Sequence, residues 1–452
     1  MAHRMTIYML VLGLLLIFSI LSCNTQSSST GPIKWQQPVK IAEGSGYRGP
    51  WRMNDSEFHY VDDPTVDLLS DGEIGIGWVE QAQRNIVFQR IKTNGERRFE
   101  SPVNVSKTPN VFSWLPDMHM DRGIAGNPDS LHVYMLWQEI VFSGGTHGGE
   151  AFFARSTDGG RSFGEPVNLS NSIAGDGKGR LTQKFWHNGS LDLLVAPDGT
   201  LYAAWTEYEG RLWVSRSTDR GRSFSDPLLV GGDNEQPARG PSLAVDTAGT
   251  VYLAWTYGEH PQANLLMARS RDQGRSFSSP ETLVTNPGHS DAPKIAIDAE
   301  NQLHLTYSVS PGGPFKIYEV RYQKFSLPSL STTQTNTFTT PGYNTYEMGH
   351  FPSVILSNAG NVFLNWELYK NAGARPEALA FSYSPDGGKT FISPYVLPGS
   401  GDPDMGTNGS QQGYLLDKLA VNEQGDIAVV NSTFQRGRKS RIWLFRGKLQ
   451  PE

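Results

Sequence analysis

The chain is predicted to be all-β, a β-propeller of four-stranded antiparallel blades, and three observations carry the prediction. One phrase occurs four times: STDGGRSFGEP from Ser156, STDRGRSFSDP from Ser217, SRDQGRSFSSP from Ser270 and SPDGGKTFISP from Ser384. Each copy closes a longer unit of about 45–50 residues, the size of one propeller blade. Within a unit, short β-rich runs of roughly four to seven residues alternate with turn residues, the pattern of strands rather than helices.

The elements follow in order. Residues 1–23 carry Arg4, then an apolar run from Met5 to Leu21, and end in Ile20-Leu21-Ser22-Cys23. This reads as a secretory signal, and its end resembles a bacterial lipobox, which implies lipidation of Cys23. Residues 24–32 (NTQSSSTG and a proline) read as a flexible tether, and 33–452 as a single domain. Ile33 to Ile41 looks like an outermost strand. Full units then start near Pro64, Pro116, Leu191, Pro241, Pro293, Pro352 and Asp417. The unit from Arg239 to Val284 shows the plan, with runs at Ser242–Val245, up to Trp255, at Leu265–Ala268 and at PETLV. The count is seven, with six as the alternative. The last unit supplies only three strands and ends at RIWLFRG, so the N-terminal strand is expected to complete it and close the ring.

Composition narrows the function classes. The net charge is −6 and neither sign forms a long run, which argues against nucleic acid as a partner. Cys23 is the only cysteine, so no internal disulfide supports the exported body. No His/Cys cluster suggests zinc, and no glycine-rich strand-to-helix turn suggests a nucleotide. The loop GDPDMGTNG (Gly401 to Gly409) spaces carboxylates loosely as calcium loops do, but reads better as solvated. Neither a metal nor a cofactor is expected, and the chain is expected to be a monomer in the cell envelope, held to a membrane through Cys23.

In the repeated phrase an aspartate can accept backbone N–H bonds, a glycine can turn left-handed, and a phenylalanine can pack between blades. The pattern S-x-D-x-G-x-[ST]-F resembles the Asp-box of the sialidase superfamily, and the likeness covers nearly all of the chain after residue 33. A weaker copy, KTNGERRFESP, starts at Lys92. The resemblance implies a structural role for Asp158, Asp219, Asp272 and Asp386, on the face away from the ligand.

Chemistry is then expected where first strands begin and second strands end, around the axial cleft. There the second runs end in Trp78-Val79-Glu80, Trp137-Gln138-Glu139, Trp205-Thr206-Glu207 and Trp366-Glu367. The tryptophans read as core, while the glutamates read as rim carboxylates or as catalytic groups, with Glu139 and Glu207 the candidate pair. Before the first runs stand Asp62-Asp63, Asp117, Trp186-His187, Arg239, Asp291, His350 and Tyr414. The sialidase resemblance implies an arginine clamp for a carboxylate, a tyrosine nucleophile with a glutamate, and an aspartic acid/base. Arg48 in GYRGP partly matches the family's first arginine, and Arg239 suits a second. Tyr346-Glu347 could stand for the tyrosine and its base. The short loop EQAQRN offers no aspartate for the acid. Substrate contacts are accordingly expected from Arg48, Arg239, Trp186, His187, His350 and Tyr343. Three readings stay open: a membrane-anchored glycan-binding propeller with or without exo-sialidase activity, another glycoside hydrolase using a carboxylate pair, and a non-catalytic scaffold for protein partners.

Overall fold

The computed structural model describes residues 31–122, 131–141, 149–173, 175, 178–182, 184–188, 191–259, 261–285, 288–342, 345–402, 417–434 and 437–451, with backbone alone for 178–182 and 185–188. Cys23, Tyr343, Tyr414 and most of the Gly401–Gly409 loop lie outside these residues.

Seven sheets are arranged as seven blades, each antiparallel and each read outward from its first strand. The first strands, around the axis, are Val61–Leu68, Ser113–Asp121, Leu191–Val195, Ala238–Val245, His289–Ile297, Met348–Leu356 and Leu419–Val421. Blade 7 is completed by the N-terminus: Ile33–Trp35 and Val39–Gly44 both pair with Ser440–Leu449, in registers Ile33↔Leu449 and Val39↔Leu444. The expected closing strand is therefore present, broken into two pieces around Pro38, which cannot donate to the ladder. A two-stranded hairpin, Lys178–Thr182 with Phe185–Asn188, is inserted between blades 2 and 3.

The blades stack through their faces. Trp78, Trp137, Trp205, Trp255 and Trp366 all sit on second strands and are fully buried, as expected of core residues. Burying each large apolar side chain contributes roughly 1.5–3 kcal/mol, so the inter-blade layers carry most of the stability.

The four repeated turns join third to fourth strands and share one bonding scheme. At the first copy Ser156 Oγ donates to Asp158 Oδ1 at 2.7 Å, and Asp158 accepts from Ser162 N and Ser162 Oγ at 3.0 and 2.6 Å. Asp219, Asp272 and Asp386 do the same with Ser223, Ser276 and Thr390. Hydrogen bonding outweighs burial and draws the Asp219 and Asp386 carboxyls down to about 2. Each turn also packs on the preceding blade, as Phe163 does on Phe88 and Phe224 on Phe153, with ring centroids 5.8 and 4.8 Å apart. These turns lie at the end of the ring opposite to where first strands begin, the end called the mouth below.

Candidate functional site

One backbone device shapes the mouth. In five blades the ladder between first and second strand slips, between Asp62 and Thr65, Trp114 and Asp117, Arg239 and Ser242, Asp291 and Lys294, and His350 and Ser353. The inserted pair is a left-handed residue and a proline. Asp63, Leu115, Gly240, Ala292 and Phe351 have φ between 50 and 58° and precede Pro64, Pro116, Pro241, Pro293 and Pro352. A β-bulge re-aims the chain and frees it from pairing, and four non-glycine residues held left-handed are local strain that the packed blades must impose.

Just past the bulges lies an axial ring of hydrophilic residues, one per blade: Thr65, Asp117, Asp192, Ser242, Lys294, Ser353 and Asp417. Lys294 Nζ donates to Asp192 Oδ1 and to Asp417 Oδ1, both at 2.9 Å. The aspartates also stitch neighbouring blades, since Asp117 accepts from Leu193 N at 2.7 Å and Asp192 from Leu243 N at 2.6 Å. One step further along, Asp67 accepts from Met120 N at 2.7 Å and lies 3.8 Å from His119 Nδ1. Burial, with the charges of Asp417 and Asp192, pushes Asp117 up to about 8. Burial opposes a charge on His119, but Asp67 and Asp117 outweigh it and raise its pKa. Asp117, His119 and Asp417 could together offer three atoms to a metal. The ammonium of Lys294 already sits against Asp417, so the donor set fits a cation poorly and the ring is best read as a structural plug.

Before the bulges a second buried network crosses blades 4 to 7. Arg239 is fully buried; its Nε donates to Asp291 Oδ1 (3.2 Å) and one terminal nitrogen to Gly258 O (2.8 Å), while the other lies 2.8 Å from His289 Nε2. Thr256 Oγ1 also donates to Asp291, at 3.1 Å. Tyr318 stacks on His350 with ring centroids 3.9 Å apart, and His350 Nδ1 lies 2.7 Å from Ser308 Oγ. Glu367 accepts from Lys418 Nζ at 2.8 Å and from Tyr369 Oη at 2.6 Å. Asp62 accepts from Ser432 Oγ.

The remaining part of the mouth is aromatic. The segment from Gly44 to Tyr60 leads from the closing strand to blade 1 and lays Trp51 over a base of Phe58, Phe112 and Trp114, with centroids 6.0, 6.4 and 6.1 Å away. The three base rings are buried, whereas Trp51 is 50% exposed. Tyr60 lies beneath, 4.5 Å from the ring of Phe434, and its buried hydroxyl finds no hydrogen-bond partner among the described residues. Burial raises its pKa strongly, with Arg48 and Arg375 pulling down and Asp62 and Asp63 pushing up.

The expected site residues are thus distributed unevenly. Arg239, Asp291 and His350 are brought together, but Arg239 is enclosed with every guanidinium nitrogen engaged, which does not suit an open clamp. Arg48 is half-buried over the Phe58 ring, its guanidinium carbon 5.6 Å from the centroid. Glu139 is buried and accepts from Thr108 Oγ1 (2.8 Å) and Trp137 Nε1 (2.9 Å), and Glu207 accepts from Ser172 Oγ (3.2 Å). Burial raises both carboxyls. Tyr346 packs half-buried against the core of blade 6, where Glu377, not the adjacent exposed Glu347, is the carboxylate acting on its hydroxyl. Trp186 and His187 lie in the inserted hairpin, their side chains outside the described residues. Sequence reasoning passed over Trp51, Tyr60 and Lys294. The available signals were a tryptophan in a Gly/Pro-rich loop and a lysine inside the apolar run PKIAI.

No protein-family model matches the chain, and no curated protein does. Solved structures do match. An ulvan lyase, bound to a glucuronate–rhamnose-3-sulfate unit, superposes with a TM-score of 0.51 at 10% identity, covering 90% of this chain and 95% of that one. An α-L-arabinanase of Penicillium chrysogenum gives 0.48 at 12% identity over 90% and 98%. The NanB sialidase of Streptococcus pneumoniae gives 0.45 at 11% identity over 76% and 69%. At such identities what is shared is the propeller.

Proposed function

We propose that this propeller binds glycans at its mouth, on the shelf formed by Trp51 and the polar groups around it. The observation that carries the reading is Trp51 itself. A tryptophan half open to solvent, backed by three buried rings, offers a rigid apolar face of the kind on which a sugar ring stacks, at low entropic cost. The ulvan lyase that shares this fold, bound to a glucuronate–rhamnose-3-sulfate unit, is consistent with this choice of ligand. The reading stops at binding, because Arg239 is enclosed and Tyr346 and Glu347 do not face one another; exo-sialidase turnover is left to the same experiment. We propose further that Cys23 is lipidated and holds the domain at the envelope, as the leader's composition suggests. The test is a glycan array probed with the full chain and with Trp51→Ala, beside a fluorogenic sialic-acid glycoside. Retention lost in Trp51→Ala without loss of folding supports the reading. An array with no retained glycan would sink it, and turnover of the glycoside would add catalysis.

A further inference from the structure

We infer that the glycan is an acidic polysaccharide, its anionic groups held by Arg48 and Arg84, whose guanidinia lie on two of the rings that back Trp51; the inference rests on the glycan reading above. The two rings that support Trp51 each carry a guanidinium. Arg48 lies over Phe58 at 5.6 Å from the centroid, and Arg84 over Phe112 at 4.9 Å. The side chain of Arg84 reaches only main-chain oxygens, those of Asn110 and Ser56, at 3.4 and 3.5 Å. Among the described residues neither arginine has a carboxylate partner, although most of the mouth's other charged groups are paired. Arg239 has Asp291, Lys418 has Glu367 and Lys294 has two aspartates.

A guanidinium parked on an aromatic face directs its N–H donors outward in its own plane, and the two main-chain bonds of Arg84, at 3.4 and 3.5 Å, are long enough to give way to a charged acceptor. Its planar fork matches a carboxylate or a sulfate ester in two parallel bonds. Two such forks on the rings that back one tryptophan place two cations beside a single stacking platform. Two cations suit anionic groups repeated along a chain better than a single terminal acid. The surroundings are open as well: Tyr47 and Met53 on the same segment are 46% and 41% exposed, and Arg52 is exposed. Carboxylate and sulfate share this chemistry, and the test separates them.

The full chain is run in affinity electrophoresis through gels holding polygalacturonate, dextran sulfate or neutral dextran, at low and high salt. The expected result is retardation by one or both acidic polymers at least tenfold stronger than by dextran, weakened by salt. Arg48→Ala and Arg84→Ala should each weaken it roughly tenfold, equivalent to about 1.4 kcal/mol. Arg161→Ala and Arg275→Ala, at the opposite end of the ring, should leave it unchanged, which excludes general attraction to positive charge. Retardation by polygalacturonate alone assigns a uronate, and by dextran sulfate alone a sulfate ester. Dextran bound as tightly as the acidic polymers, or an Arg48/Arg84 double variant with unchanged retention, overturns the inference while the glycan reading stands. No retention on any gel, with an empty array, overturns both.

Discussion

Lys294 Nζ stands 2.9 Å from both Asp192 and Asp417, joining blade 5 to blades 3 and 7 across the axis. A buried cation shared by two carboxylates is more consequential when removed than when counted as stabilising, because its loss strands the anions. The Lys294→Met variant is expected to lose about 3–5 kcal/mol. Urea denaturation at pH 7 measures it. The loss should shrink at pH 5, where the stranded Asp192 and Asp417 take up protons more readily; an equal loss at both values would refute the electrostatic account.

The axis also predicts a pH profile. Asp117 is pushed up to about 8 in the folded chain, against an ordinary value near 4 in the unfolded one. A raised carboxyl contributes stability in its protonated form, and that contribution is lost as pH climbs from about 4 through about 8. His119, raised above its usual value, acts in the same sense: its share is full below about pH 6.5 and fades as pH rises through its folded value. The urea midpoint is therefore expected to fall between pH 6 and pH 9. A His119→Gln variant should show a shallower fall.

Arg239 separates two roles by stability alone. A clamp waiting for a substrate can be truncated at little cost to folding, whereas a buried guanidinium bonded to Asp291 and Gly258 O cannot. Arg239→Ala is expected to cost about 3–5 kcal/mol, because Asp291 is left buried and short of its partner. Arg239→Lys should recover little, since one ammonium cannot reach three directions at once. A fully stable Arg239→Ala protein would reopen the clamp.

The repeated turns can be tested at Gly221, whose φ is +76° and whose added Cβ would lie 2.7 Å from Phe153 of the preceding blade. Gly221→Ala combines backbone strain with a clash and is expected to cost roughly 2–4 kcal/mol. Gly249 has φ +81° but open space around it, so Gly249→Ala isolates the backbone share, about 1–2 kcal/mol. The difference in thermal midpoint between the two variants reads the inter-blade contact.

Much of the architecture was legible because it repeats. Asp158, Asp219, Asp272 and Asp386 recur with the same neighbours, and a turn's chemistry is local enough to be read from eleven letters. The tryptophans at the ends of second strands marked the blade interfaces for the same reason. The mouth was less legible. Arg239 and His350 could be assigned to the mouth by their position before first strands, yet whether a guanidinium faces water or a buried aspartate depends on Asp291, from the next blade. Tyr346 and Glu347 are adjacent in sequence, yet Tyr346 packs against the blade while Glu347 stays exposed. The prolines at 64, 116, 241, 293 and 352 stood in the first strands of five units, but the left-handed residue before each carries no signature of its own: Asp, Leu, Gly, Ala and Phe all serve. Trp51 could not be ranked above the buried tryptophans without knowing that its backing rings come from Phe58, Phe112 and Trp114.

The pairing of Ile33 with Leu449 fixes where the chain enters the ring. The strand Ser440–Leu449 runs from the mouth to the opposite end, so its antiparallel partner enters at that far end and reaches the mouth only at Gly44. Anything fastened to the residues ahead of Ile33 thus pulls on the underside of the ring. A domain moored through its leader would stand like a bowl on its foot, with Trp51 on the upturned brim.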